Sequence, residues 1–181
     1  MRAQTPLQLS PMVRIGIATT TGTFEDHGVT QSLGSATFAG LGLRLGKASA
    51  AFSVQVHAEA TSSSRIHYQS VPPCLACQRE GPDVNIVFSG VDVEGLAHPW
   101  PATRLRIGVG LGTRAITRIA SGCGGLCQPD PTDSALGVWE MNTTLERWSS
   151  RHALGLELAI RSGAINGHWV QTTMLSLTAA Y

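Results

Sequence analysis

Apolar residues recur on every second position through most of the chain. Val13, Ile15 and Ile17 are separated by Arg14, Gly16 and Ala18. Ala39, Leu41, Leu43 and Leu45 alternate with Gly40, Gly42, Arg44 and Gly46, and Phe52, Val54, Val56, Ala58 and Ala60 with Ser53, Gln55, His57 and Glu59. Further alternating runs are Val84–Phe88, Leu105–Leu111, Trp139–Leu145, Leu154–Ile160 and Thr173–Tyr181. Period 2 is the signature of a strand with two unlike faces, and almost no stretch carries the 3.6-residue period of a helix. The pattern predicts eight strands, most near the ~9–11 residues that cross a bilayer. One run is irregular. After Phe88 the apolar parity passes to Val91 and Val93, which requires either a bulge near Ser89 and Gly90 or the strand's departure from the apolar zone.

The second face is unusual. In "RLRIGVGLGTR", residues 104–114, Leu105, Ile107, Val109 and Leu111 share one parity, while Arg106, Gly108, Gly110 and Gly112 share the other. A strand on an ordinary soluble sheet turns Thr, Lys, Glu and Ser to water. Composition points the same way. Charged residues are 14% of the 181, against about 25% in soluble domains. Lys47 is the one lysine, and glycine reaches 20. With 13 basic and 12 acidic residues there is no nucleic-acid footprint. No apolar run is long enough for a transmembrane helix. Residues 1–10 lack a basic region followed by an apolar core, so they read as an N-terminal segment outside the fold or a signal-peptide remnant, with the barrel domain at 11–181.

The connections alternate in length. Longer ones lie near 24–34, 62–82, 120–133 and 162–167; shorter ones near 47–49, 95–101 and 148–150. In an up-and-down sheet this puts the long loops at one end, and the short turns and both termini at the other. On these eight segments, this rhythm and the closing "TTMLSLTAAY", the chain resembles small eight-stranded bacterial outer-membrane β-barrel proteins. The resemblance implies an all-β, antiparallel, up-and-down transmembrane barrel in the bacterial outer membrane. It also implies contact with outer-membrane lipid, and a last strand read by the barrel-assembly machinery.

An eight-stranded barrel is only wide enough for its side chains to fill. The inward parity then collects Arg14, Arg44, Arg104, Arg106, Arg114 and Arg161 with Glu59, Glu140, Glu146, Glu157 and His57. The expectation is a polar and ionic lumen network rather than an open pore, each buried charge needing a partner. Glycines make room for the long side chains of neighbouring strands. Trp100, Trp139, Trp148, Trp169 and Tyr181 fall near strand ends, where interface girdles favour aromatics. The rival arrangement is a soluble exported barrel whose greasy face lines a ligand cavity; a non-catalytic subunit of a larger membrane assembly is a third.

Cys74 and Cys77 lie in the second long loop, Cys123 and Cys127 in the third. An even count in an exported chain suggests two disulfides of open connectivity, with four thiolates around zinc or free thiols as the alternatives. The preferred reading has no metal and no cofactor. Enzymatic candidates are weak. His152 with Ser149 or Ser150 and Glu157 lies at the short-turn end, and His168 with Ser162 lacks an acid. His57 and Glu59 are what any polar lumen offers, and no His and Ser stand two apart on one predicted strand in the lipid A deacylase manner. The expected role is structural or binding, through loops 62–82 and 120–133, with a protein partner left unnamed.

Overall fold

A computed structural model describes residues 7–26, 29–47, 51–62, 64–70, 80–118, 133–149 and 152–181. The cysteines lie outside the described residues. Strands are β1 (Leu7–Thr21), β2 (Thr23–Asp26), β3 (Val29–Leu33), β4 (Ser35–Lys47), β5 (Phe52–Thr61), β6 (Ser64–Ser70), β7 (Glu80–Trp100), β8 (Thr103–Arg118), β9 (Asp133–Trp148), β10 (Ala153–Ile165) and β11 (His168–Ala180). The ring β1-β4-β5-β7-β8-β9-β10-β11 is antiparallel throughout and closes where β11 returns to β1, with Ile15 opposite Leu177. These are the eight strands that the alternation predicts. β1 begins at Leu7, inside the stretch expected to lie outside the barrel, and Leu7 already pairs with Lys47.

The first two long connections are not loops throughout. β1 continues into β2 past Gly22, whose φ of +105° suits glycine. β3 runs into β4 past Gly34, and β6 begins at Ser64, three positions after β5 ends. β2 pairs with β3, β3 with β6 and β6 with the outer end of β7, so the wall extends beyond the eight-strand ring. The fourth is shorter than expected. Asn166 and Gly167, at φ +49° and +81°, form a two-residue hairpin, because positive φ at both central positions matches the strand twist.

The outward face is apolar over a limited height. On β1 it runs Leu7, Leu9, Val13, Ile15 and Ile17, all exposed, and then gives way to Thr19 and Thr21. Tilted as barrel strands are, the stretch from Leu7 to Ile17 rises about 25 Å, the height of an outer-membrane apolar band. Hydroxyl pairs mark its outer edge: Thr19 with Ser35 at 3.0 Å, Thr37 with Ser62 at 2.9 Å and Ser89 with Thr113 at 2.9 Å.

The interior has two main levels. Within the band it is polar. Toward the long-loop end it becomes an apolar plug that includes Phe24, Leu33, Phe38, Ile66, Val84, Ile86, Phe88, Ile116, Val138 and Val170. This resolves the parity change on β7. The ladders of β7 with β5 and β8 run without a shift from Phe88 to Val93, so there is no bulge at Ser89 and Gly90. Val84, Ile86 and Phe88 face inward, and so do Asp92 and Glu94. What changes is the chemistry of the interior. At the short-turn end, Met12, Ala153 and Ala180 form a second apolar cluster against Trp148.

Candidate functional site in the lumen

Alternation sends one residue in two inward, and at band level many of these residues are charged. They form two linked clusters. Toward the short-turn end, Arg44 on β4 donates from Nε to Glu94 Oε2 at 2.8 Å and from Nη1 to Glu146 Oε1 at 2.8 Å. Arg106 on β8 donates to the other oxygen of Glu146 at 2.8 Å and to Ser53 Oγ at 3.0 Å. Ser53 passes its hydrogen bond to Glu94 at 3.1 Å. One carboxylate thus bridges two arginines, and the chain β4-β9-β8-β5-β7 is tied across the lumen.

The second cluster centres on Glu59. Arg14 donates to it at 2.6 Å, and Arg161 pairs with its other oxygen. Arg14 also reaches Glu157 at 3.1 Å, and Arg161 reaches Glu140. His57 lies between acids, Nδ1 3.0 Å from Glu59 and Nε2 3.1 Å from Asp92. Gln55 at 3.3 Å and Asn142 at 3.2 Å donate to the same Asp92 oxygen. The guanidinium of Arg161 stacks 4.7 Å from the ring centroid of Phe88, at the base of the apolar plug. Every one of these charged side chains is buried, so each depends on its partners rather than on water.

The glycines now have a reason. A Cβ on Gly40 would strike the side chain of Glu59, one on Gly90 the ring of His57, one on Gly108 the amide of Asn142, and one on Gly110 the carboxylate of Asp92. Network side chains lie flat against glycines of the next strand. The barrel is too narrow for two side chains at each of these points.

Arg14, Arg44, His57, Glu59, Arg106, Glu140, Glu146, Glu157 and Arg161 meet in this network. Arg114 is fully buried but stands apart, donating to Thr172 Oγ1 at 3.4 Å and to the Gly163 carbonyl at 3.2 Å. It lies where the interior turns apolar, and no carboxylate pairs with it among the described residues. Arg104 is only half-buried, at the short-turn mouth, with its guanidinium 3.9 Å from the ring centroid of Trp148. Trp148 therefore departs from the girdle expectation: it shares the inward parity of Glu146 and packs inside the mouth. Trp100 and Trp169 are exposed at opposite ends, 64% and 60%, and Trp139 is outward at 36% beside Leu111. Tyr181 is outward, edge-on to His152 at 5.1 Å.

Asp92 and Glu94 were not among the expected lumen residues. Their signal was present, in phase with Phe88, but apolar Val84, Ile86 and Phe88 obscured which parity was inward. His57, Asp92 and Glu140 offer ligand atoms within 4.8 Å of one another, the spacing of a small-cation site. The inward Asp92 oxygen already accepts from Gln55 and Asn142, and Arg161 occupies Glu140, so the group is held by protein donors. Ser150 lies outside the described residues, and the other candidate hydrolytic pairs do not assemble. Ser149 Oγ donates to the backbone carbonyl of His152, 3.3 Å away, rather than to its ring. Ser162 sits opposite Gln171 in the ladder, three positions from His168.

No protein-family model matches the chain, and no curated protein sequence does. Solved structures do. The neisserial surface protein A superposes with a TM-score of 0.62 at 12% identity, covering 97% of each chain. Ail, the attachment invasion locus protein of Yersinia pestis, crystallised with the heparin analogue sucrose octasulfate, gives 0.52 at 13% identity over 96% of this chain and 99% of that one. At these identities the likeness is one of fold: the chain has the fold of the small eight-stranded outer-membrane β-barrels.

Proposed function

We propose that the chain is a closed, non-conducting barrel of the bacterial outer membrane that anchors and presents its longest connections, 62–82 and 120–133, at the cell exterior. The observation that carries this reading is the filled interior. The ionic network occupies the band level and the apolar plug the level above it, so a solute would have to break one and displace the other. A barrel without a path through it acts through its ends. The outer connections are rich in Pro, polar residues and cysteine, as stiff exposed contact loops are. They carry Glu25, Asp26, Glu80, Asp130 and Asp133 against Arg65 and Arg79. That balance does not complement a sulfated polyanion of the kind bound to Ail, and favours a protein or a cationic surface as partner.

Planar-bilayer recording of the refolded full chain tests the closed lumen. No discrete conductance steps are expected, and a steady open level would overturn the reading. A second test replaces residues 71–79 and 119–132 by short Gly-Ser turns. The heat-modifiable band on an unboiled gel should persist, which leaves the loops free for contact. Loss of folding would assign them to the barrel itself.

A further inference from the structure

The strongest unassigned feature lies at the opposite end, in the short-turn mouth. A small cavity of about 40 Å³ opens there, lined by Arg44, Arg104, Arg106, Gln8, Ser10 and Trp148, among others. Arg44 and Arg106 are spoken for by Glu94 and Glu146. Arg104 adds a third cation to those two acids. It is held over Trp148, and no carboxylate pairs with it among the described residues. Among the described residues the mouth therefore carries an excess of positive charge, with hydrogen-bond donors around it.

Just across the rim, on the lipid-facing side, runs an apolar cleft of about 270 Å³ lined by Phe52, Gly95, Leu96, Ala97, Leu105 and Ile107. Gly95 forms its floor because it has no side chain between Phe52 and Ile107. Phe52 and Leu96 line both the cleft and the arginine cavity, so the two are continuous around the rim. A cationic pocket joined to an apolar groove at the level of a membrane interface is complementary to one kind of molecule: an acyl chain in the groove, and an anionic headgroup turned into the mouth.

From this juxtaposition we infer that the short-turn rim binds a phospholipid of the inner leaflet, its phosphate held by Arg104 and one acyl chain lying over Gly95. The inference rests on the membrane reading of the barrel. It does not depend on what the outer loops do.

The test uses the full chain in detergent micelles, checked for heat modifiability so that a failed barrel is recognised as such. Native mass spectrometry with dioleoylphosphatidylglycerol, dioleoylglycerol and inorganic phosphate as separate probes reads binding. Wild type should retain one phosphatidylglycerol and no dioleoylglycerol. Arg104→Gln should weaken retention at least tenfold. Gly95→Leu provides the second arm. A Cβ at Gly95 meets its nearest atoms, Ile107 O and Phe52 Cε1, at 3.7 and 3.8 Å, ordinary contact, so a larger side chain fills the groove without straining the wall. It too should lose the lipid about tenfold while leaving the arginines in place. Phosphate binding that matches lipid binding and ignores Gly95→Leu would make this a free-anion site and overturn the proposal. Lipid retention unchanged in both variants would do the same.

Discussion

The band-level interior and the interior just above it are built by the same strands with the same alternation, yet they obey opposite rules. On β7, Asp92 and Glu94 face inward at band level while Val91 and Val93 face out. A few residues toward the long-loop end, Val84, Ile86 and Phe88 face inward and Asn85 and Ser89 lie on the outward parity. Nothing in the backbone changes between them, since the ladder is unbroken. The surroundings change. Where hydrocarbon covers the wall, apolar side chains gain nothing by turning inward, and the polar ones collect in the lumen. Where water covers it, the hydrophobic effect restores an ordinary core. One strand therefore carries two inside-out halves, and the hydroxyl belt of Thr19, Ser35, Ser89 and Thr113 marks the seam.

The largest expected effect tests the lower half. Glu59→Gln removes the charge that Arg14 and Arg161 share, leaving buried cations under-compensated, and should cost about 3–5 kcal/mol in urea unfolding followed by the gel shift. A loss under about 1 kcal/mol would mean the lumen is wetter than its packing implies. Next comes the lipid-facing wall. Val109→Arg, in the apolar band, should cost roughly 2–4 kcal/mol of folding into lipid vesicles, and normal insertion would argue against the lipid-facing assignment. Gly110→Ala is expected to cost about 1–3 kcal/mol, because the added Cβ overlaps the Asp92 carboxylate and the Val91 carbonyl. If that variant matches wild-type stability, Asp92 has room to move and the close-packing argument fails. The smallest effect sharpens the seam. Thr113→Arg is the same charge as in Val109→Arg, on the same strand and the same face, at the hydroxyl belt. It should cost below about 1 kcal/mol. Equal penalties at positions 109 and 113 would move the boundary outward.

Much of this was legible before any fold was known. The eight barrel strands follow from alternation alone, and so do the inward positions of Arg14, Arg44, Arg106, Arg161, Glu59, Glu140, Glu146 and Glu157, because period 2 fixes which residues share a face. The extensions β2, β3 and β6 were hidden. They are short and polar on one side, and the β2–β3 hairpin pairs into the wall through β6, far along the chain, so no local pattern distinguishes them from loops. Trp148 shows a similar limit. Its position near a turn suggested a lipid interface, but parity with Glu146 turns it into the mouth, where Arg104 stacks on it.

The eight strands of the ring, their antiparallel up-and-down order and the two-faced wall were thus written into the chain, since all three depend on the spacing of neighbours along it. Which carboxylate meets which arginine, and where along β7 the interior passes from ionic to apolar, follow from the assembled barrel. Arg44 and Glu146 are 102 positions apart and Arg14 and Glu59 are 45 apart. Their meeting is set by barrel closure, strand tilt and the space that glycines leave on the facing wall, and these are properties of the whole ring rather than of any one strand.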